Sequence, residues 1–320
     1  MTGPDRNRKE EMNKARNPKQ KIIKLLGGIP EHVPDWSKPI LRPFSRIYSK
    51  VYRQVYSSIK DEKLVKTPMG PLIYVNYRDS VEREIANGTY ERKYIDLFCS
   101  KIKEGDVVID VGAYIGIFSL IAAGRVGSTG RVYAFEPVPR SYDRLMRNIG
   151  VNEVRNIKGY NLGLSDKNET LPINVPEEIP AEATLYECSA TEIAKGTEIR
   201  KDIVQARLIS FDWLYDNEGL SKVNVVKIDA EGAELKVLKG MGNTIRSSSL
   251  ELFIEIFPPL IERIGGSLEE LITFLTELRF RSIYSTESDS GIGMNVNSVN
   301  EVAEFIRNGG HNFILTKNGH

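Results

Sequence analysis

The stretch VVIDVGAYIG, from Val107 to Gly116, decides the fold class of this 320-residue chain. An apolar run of strand character ends in an acid and a glycine turn, and the periodic segment IGIFSLIAAG that follows predicts a helix. This is the first strand–turn–helix unit of a nucleotide-binding sheet, and it places Asp110 at the carboxyl end of the strand, where open parallel sheets bind their ligands. Gly112 and Gly116 allow the turn to approach a ligand closely. The stretch therefore predicts a Rossmann-like, doubly wound α/β domain.

The turn departs from the dinucleotide-binding fingerprint at two points. Its third position is the bulky Tyr114, where a glycine would let a pyrophosphate approach. The acid before the glycine suits a ligand that carries an ammonium group and suits a phosphate poorly. Both departures indicate S-adenosylmethionine rather than NAD as the cofactor.

A second acid follows at the spacing expected for a ribose contact. The run RVYAFEP, residues 131–137, predicts a short strand that ends in Glu136, about 26 residues after Asp110. Ribose-binding acids lie roughly 20 residues beyond the glycine turn. A carboxylate at this point accepts both hydroxyls of a ribose, so Glu136 is a candidate for anchoring an adenosine.

The chain alternates strands and helices from Val107 onward, as a doubly wound sheet requires. The helix predicted at about 139–149 carries Arg140, Arg144 and Arg147 on its polar face. Further strands are predicted at about 156–162, 223–229 and 251–257. Residues 168–205 break this alternation with a polar, proline-containing insertion that is too long for a simple connection. Such an insertion either covers a substrate pocket or is a surface excursion.

Ahead of the sheet, the composition predicts a basic, flexible tail at 1–36 and an N-terminal extension of helix and strand at 37–84. Residues 1–26 carry eight Lys and Arg against three acids, a pattern that fits a solvated terminus or a weak contact with an anionic membrane surface. The net charge of the whole chain is only +1, so no nucleic-acid partner is expected.

Several features predict a soluble, cytoplasmic protein. The N terminus lacks the apolar core of a signal peptide, and the chain has no run of 18 uninterrupted apolar residues. Its two cysteines, Cys99 and Cys188, lie far apart in sequence and suggest neither a disulfide framework nor a zinc site.

Acids also end the two later strands. Asp229 ends the strand VNVVKID, and Glu255 ends the run ELFIEIF, so both are expected at the sheet edge that holds the adenosine site. Carboxylates there act as general bases or hold a magnesium ion together with water. Glu231 and Glu234 begin the helix after Asp229, where the helix dipole favours acids, and Glu234 is assigned to stabilising the helix start.

Six motifs, in this order, resemble the FkbM-type methyltransferases, which depend on S-adenosylmethionine. The similar motifs are GTYERKYIDLF, DVVIDVGAYIGIFSLIAA, GRVYAFEPVP, GLSD, VVKIDAEGAELKVLKGM and FIEIF. They cover roughly residues 85–260 and extend more weakly to the C terminus, so a methyltransferase domain is expected at 85–320, with the insertion at about 168–205. The resemblance implies a seven-stranded sheet with an antiparallel last strand.

The resemblance also implies a role for individual residues. Asp110, Gly112 and Gly116 would hold the methionine part of the cofactor, and Glu136 would hold the ribose. The loop with Leu164, Ser165 and Asp166 would border the adenine, and Glu91 matches an acid near the cofactor. Asp229 and Glu231 match the acidic block after the fourth strand, which places Asp229 beside the cofactor as well. Tyr114 stands where many relatives carry a small polar residue.

The resemblance implies methyl transfer to a hydroxyl oxygen on a sugar, a glycoconjugate or another metabolite. Asp229 is the first candidate for the base that removes the hydroxyl proton, with Glu255 and Glu231 as neighbours, because His32, His311 and His320 lie outside the motifs. A magnesium ion is compatible with these acids but is not implied.

Two alternatives remain open. One is a nitrogen or carbon methyltransferase that acts on a protein or nucleic acid, although Asp229 is followed by AEG rather than by the PP(Y/F) of nucleobase amino-methyltransferases. The other is a cofactor-binding module without catalysis, which the presence of both Asp110 and Glu136 disfavours.

Overall fold

A computed structural model describes residues 62–177, 179–187, 189, 196, 200–220, 222–280, 282–285, 293–295, 299–307 and 311–317. The predicted tail, most of the N-terminal extension, Cys188, His32 and His320 therefore lie outside the described residues. So does the centre of the insertion.

Thirteen strands and ten α-helices are named below in chain order. The strands are β1 (Lys63–Lys66), β2 (Leu72–Val75), β3 (Val107–Val111), β4 (Arg131–Phe135), β5 (Ile157–Tyr160), β6 (Gly163–Leu164), β7 (Glu169–Pro176), β8 (Lys201–Ile209), β9 (Val225–Ile228), β10 (Glu251–Glu255), β11 (Ser282–Ser285), β12 (Gly293–Asn295) and β13 (Asn312–Thr316). The helices are α1 (Ser80–Asn87), α2 (Arg92–Lys101), α3 (Ile117–Val126), α4 (Pro139–Val151), α5 (Phe211–Glu218), α6 (Glu234–Gly240), α7 (Gly242–Ser247), α8 (Pro258–Arg263), α9 (Leu268–Glu277) and α10 (Val299–Arg307).

The main sheet confirms the predicted fold class. Its order is β12-β11-β13-β10-β9-β3-β4-β5, and the pairs among β10, β9, β3, β4 and β5 are all parallel. Strand β13 runs antiparallel to β10, as the family resemblance implies. The seven expected strands are present, and the short strand β12 adds an eighth at the edge.

The parallel strands bring their carboxyl ends to one edge of this sheet. Asp110 pairs with Ala134 on one side and with Lys227 on the other, and Ile254 pairs with Ile228. The residues that follow β4, β9 and β10 must therefore meet at the edge where β3 ends.

Apolar side chains fill both faces of the sheet. On the face covered by α2 and α3, the Phe98 ring packs edge to face against Phe118, with centroids 5.3 Å apart, and against Phe253, with centroids 5.1 Å apart. On the other face, side chains of β9 and β10 pack against α6 and α9. Burial of both faces explains why these strands are continuous apolar runs instead of alternating ones.

The insertion forms a small sheet of its own. Strands β6, β8 and β7 pair in that order, and β7 and β8 form a long antiparallel ladder from Glu169 opposite Leu208 to Pro176 opposite Lys201. Ile173, Val175 and Leu208 are buried on one face. This sheet lies over the carboxyl edge of the main sheet, since Ile173 and Leu208 line the same cavity as Glu136.

Among the described residues, none of the helices combines the length and the apolar character needed to cross a bilayer.

Candidate active site

The glycine turn after β3 lies directly against the backbone that follows β9. Gly112 has a φ of 75°, and its N–H donates to the carbonyl of Phe135 at 3.0 Å. A Cβ at this position would lie 1.8 Å from the carbonyl oxygen of Asp229. Only glycine combines this conformation with this approach. The sequence predicted that Gly112 lets the turn approach a ligand. In the structure, Gly112 lets the turn approach the backbone of Asp229.

Gly116 serves the turn in another way. It precedes α3 with a φ of 94°, and a Cβ there would lie 2.5 Å from Leu145 Cδ1. Gly116 therefore packs against α4. It shapes the turn and does not line the cavity.

Glu136 is held at the end of β4 by two main-chain donors. Its Oε2 accepts from the N–H of Tyr114 at 2.8 Å, and its Oε1 accepts from the N–H of Val138 at 2.9 Å. Each carboxylate oxygen has a second lone pair, so both can still accept a ligand hydroxyl. Burial is the main cause that raises the pKa of Glu136 to about 7, against the effect of the two N–H donors.

A cavity opens between these elements and the insertion. One end is apolar and includes Phe135, Leu164, Ile173 and Leu208. The other end is polar and includes Tyr90, Lys227, Asp229 and Glu231, while Gly112, Tyr114 and Glu136 lie along the wall.

Lys227 occupies an unusual position for a lysine, inside a fully buried strand. Its Nζ lies 3.1 Å from Asp229 Oδ2 and 3.9 Å from Asp110 Oδ1, and 4.7 Å from the centre of the Phe118 ring. Burial alone would lower the pKa of Lys227, but the two carboxylates outweigh it and raise that pKa. The buried ammonium is thus charged and links the ends of β3 and β9.

Asp110 lies below the cavity and does not line it. The residue is fully buried, and its Oδ2 accepts from Ser119 Oγ at 2.5 Å. Within the described part of the chain, no donor forms a hydrogen bond with Oδ1. Burial raises the pKa of Asp110, while Lys227 and Ser119 oppose that rise.

The structure brings Asp229, Glu231 and Glu255 together at the polar end. Burial, Asp229 and then Glu231 raise the pKa of Glu255 well above its ordinary value, and a hydrogen bond with Asp229 contributes in the same direction. Burial and Asp229 likewise raise the pKa of Glu231. Glu255 is therefore disposed to hold a proton and to donate it in a hydrogen bond to Asp229.

Glu234 holds the turn that precedes its own helix. Its Oε1 accepts from the N–H groups of Ala230 at 3.0 Å and Gly232 at 3.1 Å. This contact fixes the turn between Asp229 and α6, in line with the helix-start role assigned from the sequence.

The remaining predicted residues lie at different distances from the cavity. Leu164 lines it, whereas Ser165 is buried beside Gly240 and Asp166 is exposed, and neither is among the lining residues. Glu91 precedes α2 and accepts from Asn312 Nδ2 at 3.1 Å; it lies behind Tyr90, which does line the cavity.

The insertion is tied to the polar end by its backbone. Thr184 Oγ1 donates to the carbonyl of Glu231 at 2.8 Å, and Thr184 pairs with Asn174 of β7 through two main-chain hydrogen bonds. Since Pro180, Ala181, Ala183 and Leu185 also line the cavity, the insertion forms one of its walls. Of the two interpretations of residues 168–205, the structure supports the pocket wall.

No group of three or more His, Cys, Asp or Glu in the described ranges is arranged to hold a metal ion.

The family model described as the methyltransferase FkbM domain matches residues 110–282, more than half of the chain. The chain belongs to the FkbM methyltransferase family. The matched range begins within β3, at Asp110, and contains the glycine turn, Glu136, the insertion, Asp229 and Glu255.

Curated relatives also match part of the chain. Methyltransferase sdnD of Sordaria araneosa is 33% identical over 155 residues, which covers 42% of this chain and 60% of the relative. The hexuronic acid methyltransferase AglP of Haloferax volcanii is 33% identical over 157 residues, which covers 49% of this chain and 59% of the relative. The chain thus spans about three fifths of the length of these relatives. A solved structure, the methyltransferase FkbM of Methylobacillus flagellatus KT, is 14% identical with a TM-score of 0.40 and covers 91% of this chain and 63% of that one.

Proposed function

We propose that this chain transfers a methyl group from S-adenosylmethionine to a hydroxyl oxygen of a sugar, a glycoconjugate or another small metabolite. The observation that carries the proposal is one cavity, at the carboxyl edge of a doubly wound sheet, with Glu136 on its wall and Asp229 at its polar end. Membership in the FkbM family supports the reaction, and the name of the relative AglP supports a sugar acceptor.

The residues present fit the cofactor. The Glu136 carboxylate, which keeps a free lone pair on each oxygen, is assigned to the two ribose hydroxyls. The apolar end, with Phe135, Leu164 and Leu208, suits a flat adenine ring. Gly112 lines the cavity, where its lack of a side chain lets the turn lie against the Asp229 carbonyl.

We assign Asp110 an indirect role. It is buried beneath the turn and contacts Lys227 and Ser119, so it holds Lys227 in place rather than touching the ligand. We keep Glu91, Ser165 and Asp166 as proposed residues of the cofactor surroundings.

The chemistry divides between the cofactor and the chain. When bound, the cofactor supplies a methyl group activated by the positively charged sulfur. A hydroxyl is a poor nucleophile until its proton is removed, and we assign that removal to Asp229, whose carboxylate lies at the cavity and 3.1 Å from the Lys227 ammonium. Glu255, disposed to hold a proton, orients Asp229 by hydrogen bonding.

The proposed function is tested by following a labelled methyl group. The protein is incubated with methyl-labelled S-adenosylmethionine and fractionated cell extracts, and the labelled product is identified. Label recovered as a methyl ether on a carbohydrate or another hydroxyl compound supports the proposal. Label recovered on nitrogen or carbon of protein or nucleic acid would replace it with the first alternative above.

Affinity for S-adenosylhomocysteine is expected to depend on the protonation of Glu136. Hydroxyl donors favour the ionised carboxylate, so below pH 7 binding must displace the proton of Glu136. Affinity should therefore be constant above pH 7 and weaken by up to about tenfold per pH unit below it. Calorimetry between pH 5.5 and 8.5 measures this.

Two variants sharpen the measurement. Glu136→Gln should bind about 1–3 kcal/mol more weakly at pH 8 and lose the pH dependence, because the charged acceptor is absent. Glu234→Gln is the matched control: burial also raises the pKa of Glu234 to about 7, but its carboxylate accepts from the chain and does not line the cavity. It should keep the wild-type profile. A wild-type profile in Glu136→Gln would remove Glu136 from the site.

A further inference from the structure

Tyr114 adopts a backbone conformation that its residue type disfavours. Its φ is 49°, in the left-handed region, which costs an L-residue other than glycine roughly 1–2 kcal/mol. In this conformation its N–H donates to Glu136 at 2.8 Å. Some contact of the side chain must offset the cost and keep the turn in this form.

The side chain reaches out of the turn to a carboxylate pair in the N-terminal segment. Tyr114 Oη lies 2.8 Å from Asp79 Oδ2 and 2.8 Å from Glu82 Oε1. Asp79 and Glu82 are buried at the start of α1, and Asp79 caps that helix by accepting from the N–H of Glu82 at 3.1 Å. Both carboxylates are therefore fixed by the helix.

One phenol proton serves only one of these acceptors. Burial, and then the neighbouring charge of Glu82, raise the pKa of Asp79 to about 6. Below about pH 6 a proton on Asp79 lets that acid donate to Tyr114 Oη while Tyr114 donates to Glu82, and at higher pH the two carboxylates share the one phenol donor. Hydrogen bonds of this kind, with a charged acceptor, are about twice as strong as neutral ones.

Arg144 completes the connection from the side of α4. Its guanidinium forms an ion pair with Glu82, with Nη2 2.6 Å from Oε2, and also donates to the carbonyl of Tyr74 in β2 at 3.0 Å. Its Nε lies 2.8 Å from Glu62. Glu82 is thus held between a buried arginine and the phenol of Tyr114.

We propose that residues 62–87, which precede the range matched by the family model, stabilise the cofactor site. Tyr114 is the positioning residue, because it connects this segment to the turn that contacts Glu136. Through the phenol, α1 holds the turn in the form that presents the Tyr114 N–H to Glu136. The same segment supplies Ile85 to the cavity wall, an independent contact with the site. The choice of ligand for the test rests on the proposed function.

The test compares Tyr114→Phe with a matched tyrosine. Tyr142→Phe is the control, because the Tyr142 hydroxyl donates to the carbonyl of Gly159 at 3.5 Å and Tyr142 does not line the cavity. Tyr114→Phe is expected to bind S-adenosylhomocysteine about tenfold more weakly, the scale of losing a hydrogen bond to a charged group. Tyr142→Phe should bind as the wild type does.

A second measurement separates positioning from a loss of stability. The N–H of Tyr114 lowers the pKa of Glu136, so a turn that relaxes should raise this pKa and move the pH dependence of binding to higher pH. Asp79→Asn should keep both affinity and midpoint, since its amide donates to Tyr114 Oη and its carbonyl still caps α1.

Each outcome decides the proposal. Wild-type affinity in Tyr114→Phe, or weaker binding with an unmoved midpoint, overturns it. If Tyr114→Phe does not fold, the same two measurements are made on Glu82→Gln, where a change in the same direction supports the proposal and wild-type values overturn it. A wild-type protein that does not bind S-adenosylhomocysteine at all counts against the proposed function and against this inference together, whereas normal binding in both proteins counts against the inference alone.

Discussion

Asp229→Asn is expected to lower turnover by about 100-fold or more while S-adenosylhomocysteine affinity stays close to that of the wild type. The loss is on the usual scale for a general base. Asparagine keeps the shape of the side chain but cannot accept the proton of an acceptor hydroxyl. The Asp229 carboxylate lies at the polar end of the cavity, while Glu136 lies on its wall, so the two substitutions should separate catalysis from cofactor binding.

The measurement requires a saturating acceptor, identified by the labelling experiment. Asp202→Asn, on the exposed side of β8, is the matched control and should turn over normally. Glu255→Gln should lower turnover less than Asp229→Asn, because an amide still donates a hydrogen bond toward Asp229. Near-normal turnover in Asp229→Asn would refute the assignment and make Glu255 the next candidate.

A divalent ion held by Asp229 predicts a different result. In that case activity should vanish with a chelator and return with magnesium. Wild-type turnover that is insensitive to the chelator favours the base.

The parallel core of the fold could be predicted from local sequence because each strand is an apolar run that ends near an acidic residue. Strands β3, β4, β9 and β10 end near Asp110, Glu136, Asp229 and Glu255, and the structure places all four ends at one edge. Their convergence follows from topology alone, since parallel strands share a carboxyl edge.

The insertion was harder to predict, although a signal was present. In β8, buried Ala206 and Leu208 alternate with exposed Gln205 and Arg207, which is the period of a half-buried strand. The insertion also contains prolines, which a strand tolerates here because β7 lies at the edge of its small sheet.

Arg144 and Tyr114 show what local pattern cannot supply. Arg144 lies on the face of α4 predicted to be polar, yet it is only 9% exposed because Glu82 approaches from 62 residues earlier in the chain. The bulk of Tyr114 argued correctly against a pyrophosphate, but nothing near it in sequence indicates that its hydroxyl meets α1. Lys227 lies within one of the six motifs, but its role depends on Asp110 of the neighbouring strand β3, a partner that is distant in sequence.

Gly112→Ala is expected to destabilise the fold by more than about 3 kcal/mol, the upper range for overpacking combined with a left-handed backbone. The added Cβ would lie 1.8 Å from the carbonyl oxygen of Asp229, and a backbone atom cannot move aside as the end of a side chain can. Gly150→Ala is the matched control, since Gly150 lies in α4 with open space around its Cβ position. It should stabilise the protein by about 0.5–1 kcal/mol.

Urea unfolding measures both changes. Equal stability of Gly112→Ala and the wild type would contradict the close contact between the turn and the backbone of Asp229. That contact has a consequence for function as well, because the turn that carries Tyr114 and the residue assigned as the base are pressed against each other. If enough Gly112→Ala protein folds to be assayed at low temperature, cofactor affinity and turnover should therefore fall together, unlike in Asp229→Asn, where turnover should fall alone.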